Sequence, residues 1–590
     1  MKKVLIFVLI MCFVLTGCSK PSESNVNVEV SASELKTANS YEEIYDMLMT
    51  YLDDQEETRE FYAVDEMVEE EVMLEEAPEE GSTTNGSSSS DYSGTNIQTQ
   101  GVDEMDIVKT DGEYIYSFNG TDLKIIKPNG TEPEIISETE LYEDNKEKSC
   151  YYDSLYLRGD HIIAIGTEYN NEDYIGYGAA AVYDVSDPMN VALVERFSQS
   201  GYISSTRMVG DILYMITDYQ IWDFEEDEPS TYIPRLATDD TETLIAIDDI
   251  CIPEEAASTS WLVVSAYDIT NCTTLSTVSM LGSADDIYVS AENIYVADTK
   301  WVDEKSNEYT QDQYTVVDYL NYSQTQIHKF AYSEGDISYE CTGAVKGSLL
   351  NQFSMDEHNG NLRVVTTNND NSYRIYTDEK YDFENYEYLS DSMSNGLYVL
   401  DESLQVVGSV EDLGEDERVY SVRFDGDIGY FVTYRETDPL FAVELSVPEN
   451  PTVLSALKIN GFSQYLHTWN EDLLLGMGME ADENGNVSTM KLSMFDVSDP
   501  ADVQETQKLV LPYYYSEGLY NHHAVFVDVE RGLIGFGVDE GYVVYRYDDG
   551  FTQYEFIDDA NFGYNIRGVR IGDYLYIVGM DDISVIDISR

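Results

Sequence analysis

The chain has 590 residues, with 114 acidic side chains against 32 basic ones and a formal net charge of −82. Acidity on that scale repels nucleic acid and anionic membrane surfaces, so a nucleic-acid partner is excluded as an expectation. Forty-nine tyrosines, only 13 prolines and a hydrophobic fraction of 43% suit a folded, β-rich chain rather than a disordered one.

The chain opens on an export signal. Lys2 and Lys3 form a positive n-region, residues 4–15 are apolar but too short to span a bilayer, and Leu15-Thr16-Gly17-Cys18 places small residues before a cysteine. That tetrapeptide resembles the bacterial lipobox, which implies lipidation of Cys18 and removal of residues 1–17. Because the signal carries two lysines and no acid, its removal would take the net charge from −82 to −84. The expected address is the cell membrane, lipid-anchored on the extracytoplasmic side, with the membrane as a partner through the anchor.

Residues 18–94 read as a tether with one embedded helix near 40–54. Ser40 and Glu43 have capping-box spacing, and Ile44, Met47, Leu48 and Tyr51 recur at helical intervals. Residues 53–80 are rich in carboxylates, and "GSTTNGSSSSDYSG" at 81–94 has the composition of a flexible linker. As a coil, the segment from Cys18 to Asn96 would span about 50 Å.

From residue 105 the chain repeats a hairpin: strand, Gly-containing turn, and a strand of alternating tyrosine and aliphatic residues. Clear copies are "DIVKTDGEYIYSF" (106–118), "STRMVGDILYMIT" (205–217), "SVRFDGDIGYFVT" (421–433) and "GVRIGDYLYIVGM" (568–580). Weaker copies at 156–166, 283–297, 354–366, 467–478 and 525–538 bring the number to nine. Gly, Asn and Asp in the turns supply the positive φ that tight hairpins need.

A third strand ending in a stop signal follows several hairpins, as in "VYDVSDP" (182–188), "AYDITN" (266–271), "VELSVPENP" (443–451), "MFDVSDP" (494–500) and "VIDIS" (585–589). A fourth alternating stretch comes next, so the unit is a four-stranded antiparallel meander. Residues 95–590 exceed what one sandwich core accommodates, whereas a β-propeller gives each adjacent pair of blades its own core. The expected fold is all-β, a propeller of about eight four-stranded blades with seven to nine allowed, since insertions near 219–260 and 299–325 blur the frame. The last unit offers three strands, and residues 95–109 are expected to complete it as an N-terminal closing strand.

The segment "NIQTQGVDEMDIVKTDGEYIY", behind a lipobox and a Ser-rich linker, resembles the bacterial secreted proteins with a C-terminal β-propeller domain. The resemblance implies the fold and brings no activity or ligand with it.

No catalytic residues and no metal ligands are assigned. GxSxG, HExxH and GxxxxGK are all lacking, and "GYGAAA" (176–181) has no strand-to-helix context for a dinucleotide. In "NHH" (521–523) the two histidines, read as neighbours on an inner strand, point to opposite faces and do not chelate one ion. "EADENGNVS" (480–488) has part of the spacing of a Ca2+ loop but lacks the bidentate Glu, and reads as a hairpin turn; no cofactor is predicted beyond this weak Ca2+ signal. Cys150, Cys251, Cys272 and Cys341 are compatible with disulfides or with free thiols. Among only 15 arginines, Arg207, Arg423, Arg567 and Arg570 stand on strands expected nearest the axis. Two roles are open to them: neutralising inward carboxylates, or offering an anionic ligand a basic pocket. The favoured function is a monomeric, anchored binding or scaffold module for an extracellular protein, peptide or glycan; the alternative is a propeller hydrolase or lyase acting on an extracellular polymer. A strongly raised pKa on a channel carboxylate would favour the enzyme.

Overall fold

A computed structural model describes residues 32–62, 91–144, 148–171, 175–238, 241–378, 383–435, 438–482, 485–558, 565–580 and 582–589. The expected signal peptide with Cys18, and most of the expected acidic and Ser-rich tether, lie outside the described residues. Every one of the nine repeated hairpins is the first pair of strands of its own meander, so the described residues form nine blades, the upper end of the expected seven to nine. Blades 1 to 9 cover 108–140, 148–200, 202–281, 286–346, 355–413, 418–459, 462–510, 525–558 and 567–587.

Turn chemistry explains the repeat. Gly210, Gly426 and Gly572, the glycines of the Gly-Asp turns, have φ of 61°, 54° and 59°, where a Cβ would be strained. At the end of the third strand, Asp184, Asp268, Asp496 and Asp587 each accept the backbone N–H two residues on, and Glu444 does the same. The "YDVSDP" signature is therefore an Asx-type turn that stops one strand and aims the next.

Nine clusters of buried side chains alternate with the nine blades, one in each interface between consecutive blades. The last of them closes the ring: Val108, Ile115 and Ile126 of blade 1 pack against Val569, Tyr576 and Val578 of blade 9. This corrects the expectation that residues 95–109 close the circle as an added strand. Blade 9 keeps three strands, Arg567–Ile571, Tyr574–Val578 and Ile583–Asp587. Among the described residues, the N-terminal chain meets it at one isolated bridge, Tyr92 opposite Ile571 on the inner edge. Apolar area between two sheet faces is enough for closure, so no exchanged strand is needed.

The predicted N-terminal helix runs over Tyr41–Tyr62, longer than expected. Ser40 Oγ accepts the N–H of Glu43 (3.1 Å), and Glu43 Oε2 accepts the N–H of Asn39 (2.8 Å). Its Ile44 and Leu48 are fully buried against Tyr232, Ile245 and Trp261 at the outer side of blade 3. The insertion near 219–260 adds outer strands: Arg235–Thr238 pairs with blade 2, and Ile250–Ile252 runs parallel to the last strand of blade 3. The insertion near 299–325 belongs to a larger feature. Asn293–Gln311, Tyr314–Ser333, Asn361–Asp378 and Phe383–Leu400 are 18 to 20 residues long, and the second pairs with the third from Thr315↔Thr377 to Tyr322↔Asp370. Strands of that length reach about 60 Å, against about 30 Å for an ordinary blade strand. Blades 4 and 5 thus share a four-stranded arm.

The four described cysteines are free thiols, and each lies in a different interblade cluster. Among the described residues, no helix is long and apolar enough to cross a membrane.

Candidate functional site

Residues 92–106 form a strap that makes one circuit of the inner wall. The N–H of Ser93 donates to Arg570 O of blade 9 (2.9 Å), and Asn96 Nδ2 donates to His522 O (2.8 Å) beside blade 8 and to Tyr465 Oη (3.2 Å) of blade 7. Gln98 Nε2 donates to Gln352 O (3.2 Å) ahead of blade 5, and Thr99 Oγ1 to Val289 O (3.0 Å) of blade 4. Asp103 and Asp106 then bridge Met208 of blade 3 and Leu155 of blade 2 before the chain enters blade 1. A polar strap suits this place because the first strand of each blade presents an unpaired edge toward the axis, and those N–H and C=O groups need partners.

The axis is filled by the strap's own acids and by side chains from opposite blades. Buried Glu104 accepts the N–H of Gln98 at Oε1 (2.9 Å) and lies 3.8 Å from Arg207 Nε. Its Oε2 accepts from Nε2 of both His522 (2.9 Å) and His523 (3.1 Å). Asp106 accepts from Arg567 Nε (2.8 Å), whose Nη1 also donates to Glu517 Oε1 (3.0 Å). Burial pushes both strap carboxyls up, but Arg207 and His522 at Glu104, and Arg567 at Asp106, outweigh it. Glu104 lies well below the usual carboxylate range and Asp106 is lowered too. These two channel acids are therefore held ionised, the reverse of the raised pKa that a general acid needs.

The four arginines all stand on first strands, as expected, and all are engaged within the protein. Arg207 donates to Ser205 Oγ and Thr206 O (both 2.8 Å) and to Gln352 Oε1 (2.7 Å). Arg423, fully buried, donates from Nε to Thr468 Oγ1 (3.0 Å). Arg570 lies 3.2 Å from Asp528 and donates to the carbonyl of Asp91 (3.3 Å). The geometry brings Arg207, Arg567 and Arg570 to the strap and leaves Arg423 apart from it. It does not gather the four into one basic pocket.

The reading of "NHH" needs correction. His522–Ala524 is a 3-10 turn, not a strand, and Asn521 Oδ1 caps it by accepting the N–H of His523 (3.0 Å). Strand alternation does not apply, so the two rings lie with centroids 3.9 Å apart and converge on one oxygen. Glu104 carried no signal in the sequence beyond its place in the opening motif; its role depends on residues 418 positions away. "EADENGNVS" joins two antiparallel strands as a hairpin, with Asp482 Oδ1 accepting the N–H of Asn486 (3.0 Å).

A match to the beta propeller domain family spans residues 92–590. The chain belongs to that family. The match begins at Tyr92, where the strap begins, so the strap is part of the domain rather than of the tether. One relative, an uncharacterized protein of Archaeoglobus fulgidus, is 30% identical over 100% of this chain and 98% of its own length. Another, from Methanocaldococcus jannaschii, is 28% identical over 84% of this chain and 82% of its own. Among solved structures, Kluyvelomyces marxianus Hsv2 matches 63% of this chain and 97% of its own at 12% identity and a TM-score of 0.22. The complex of KlAtg21 with the coiled-coil of AgAtg16 matches 78% and 99% at 10% identity and 0.31.

Away from the axis, one face of the arm carries an aromatic row. Tyr319 stacks on Tyr373 (centroids 5.2 Å, 15°), and Tyr373 on Tyr386 (4.9 Å, 24°). The register puts Trp301, Asp303 and Asn321 on that same face, with Tyr388 opposite Tyr373. Trp301, Tyr386 and Tyr388 are 58%, 60% and 55% exposed.

Proposed function

We propose that this β-propeller is a membrane-anchored, extracytoplasmic binding or scaffold module whose contact surface is the arm. The observation that carries the reading is the aromatic face of the arm shared by blades 4 and 5, with Tyr386 and Tyr388 exposed at the stacked row and Trp301 exposed further along the same face. Exposed aromatics gathered on one sheet face mark recognition surfaces, because tyrosine and tryptophan bring large contact area and little rotamer entropy to lose. The axis is not available for the same purpose, since the strap and its ion pairs occupy it. Lowered pKa values at Glu104 and Asp106 weigh against the hydrolase or lyase alternative at that place. The anchor rests on the lipobox at Cys18, and a tether of about 50 Å would hold the ring clear of the membrane.

Two experiments separate anchor from binding. The Cys18→Ala chain should leave the membrane fraction; if it stays membrane-bound with unchanged mature mass, the anchor is wrong. The triple change Trp301→Ala, Tyr386→Ala, Tyr388→Ala touches only exposed positions and should leave melting unchanged while abolishing capture of partners from intact cells. Identical capture by the folded variant would sink the arm as the binding surface.

A further inference from the structure

We propose that Glu104 Oε2, His522 Nε2 and His523 Nε2 are the protein ligands of one divalent transition-metal ion at the axis of the ring, Zn2+ in the first instance. The three donor atoms all lie within 4.8 Å of one another. Tetrahedral zinc with bonds of ~2.0–2.1 Å sets its ligand atoms about 3.3 Å apart, and the two N···O distances here are 2.9 and 3.1 Å. A shift of a few tenths of an ångström therefore admits the ion.

The donors are pre-positioned from three directions. The capped 3-10 turn aims both imidazoles the same way, Phe353 holds the His522 ring edge-on (5.3 Å, 81°), and the N–H of Gln98 on Oε1 fixes the carboxylate so that Oε2 faces the rings. Both Nε2 atoms therefore converge on the one oxygen, as an ion shared by the three groups requires. Orientation of metal ligands by such supporting contacts is the usual condition of a working site.

Space for water lies on the His523 side of the group. A cavity of about 80 Å³ is bordered there by His523, Asn96, Asp106, Lys109 and Arg567, which is room for one or two water molecules at about 30 Å³ each. Two imidazoles, one carboxylate and an open position form a nitrogen and oxygen donor set that suits zinc or another first-row divalent ion rather than Ca2+ or Mg2+. The carboxylate stays anionic and both imidazoles bind as neutral rings, so the site carries one negative charge against the ion's two positive ones. Asp106 and Glu517 are already neutralised by Arg567, which pairs with both, and Arg207 lies on the Oε1 side, so the positive charge of the ion is met by Glu104. Because the ligands come from the strap and from the turn ahead of blade 8, the ion would pin the one to the other.

The full chain, stripped with a chelator and titrated with Zn2+, should bind one equivalent and melt at a higher temperature when loaded. X-ray absorption of the loaded protein should show a first shell of nitrogen and oxygen at ~2.0–2.1 Å and no sulfur at ~2.3 Å. His523→Ala, at the cavity edge, and Glu104→Gln should each weaken binding by more than the ~10–100-fold that loss of an outer-shell partner costs. Circular dichroism checks that the variants are folded, and if Glu104→Gln is not, His523→Ala decides. Failure of the wild type to retain one equivalent, a sulfur shell from the free cysteines, or unchanged affinity in folded His523→Ala overturns the proposal.

Discussion

Asp106, on the strap ahead of blade 1, accepts a 2.8 Å hydrogen bond from Nε of Arg567, on the first strand of blade 9. The pair is buried on both sides and spans 461 positions of the chain, so it ties the two ends of the ring together at the axis while the apolar cluster ties them at the blade faces.

Arg567→Ala leaves buried Asp106 and partly buried Glu517 without their main cation. The expected loss is ~3–5 kcal/mol, because removing one partner of a buried pair exposes the desolvation cost of the other. Arg158→Ala, which breaks the solvent-exposed pair with Asp211, should change stability by no more than ~1 kcal/mol. Urea unfolding of both variants checks the contrast, and equal effects would show that the axial pair is not structural.

Deleting residues 564–590 removes the blade whose Val569, Tyr576 and Val578 cover Val108, Ile115 and Ile126. An open ring exposes two sheet faces and should unfold in a broad, non-cooperative transition in calorimetry. A truncated chain that melts as sharply as the full one contradicts closure by packing.

Two buried histidines set an acid limit. Burial, with Lys300 beside it, pushes His328 down to about 4, and burial with Arg423 pushes His467 down to about 3. Both values lie below the ~6.5 of an unfolded imidazole, so the unfolded chain takes up protons that the folded one refuses as pH falls. Their stabilisation is present above ~6.5 and is lost progressively below it, by roughly 2 kcal/mol per histidine between pH 7 and 5. His328 Nδ1 bonds Thr342 Oγ1 (2.8 Å), and His328→Asn retains a polar partner there. In that variant the loss of unfolding free energy from pH 7 to 5 should shrink by about that 2 kcal/mol; an unchanged slope refutes the assignment.

The docked helix should loosen without the ring. Ser40→Ala removes a cap worth ~1 kcal/mol, so amides of residues 44–55 should exchange about five times faster while ring melting barely moves. The N–H of Asn39 and Lys36 hold the Glu43 carboxyl down to about 2. Since that lies below the unfolded ~4.3, its stabilisation is full above ~4.3 and fades as pH falls toward 2. Exchange of the same amides should rise over that window in the wild type, and less so in Glu43→Gln.

Whatever depends on near neighbours was legible in the sequence. Alternation marked the strands, Gly-Asp marked the turns at Gly210, Gly426 and Gly572, the Asp of "YDVSDP" marked the third-strand stop, and Ser40 with Glu43 marked the helix start. Each is an interaction within about four residues, so composition and spacing carry it. All nine hairpins were visible too, although the insertions hid that each one is a separate blade. Only the tertiary structure decided what the strap does, because its acids find their partners hundreds of positions away: Asp106 meets Arg567, and Glu104 meets His522 and His523. Closing the circle by apolar packing freed the strap from acting as a strand, and a capped turn in place of a strand brought the two histidines together. The pairing of two long hairpins into one arm, Tyr319 beside Tyr373, is likewise a contact between blades that no local pattern encodes.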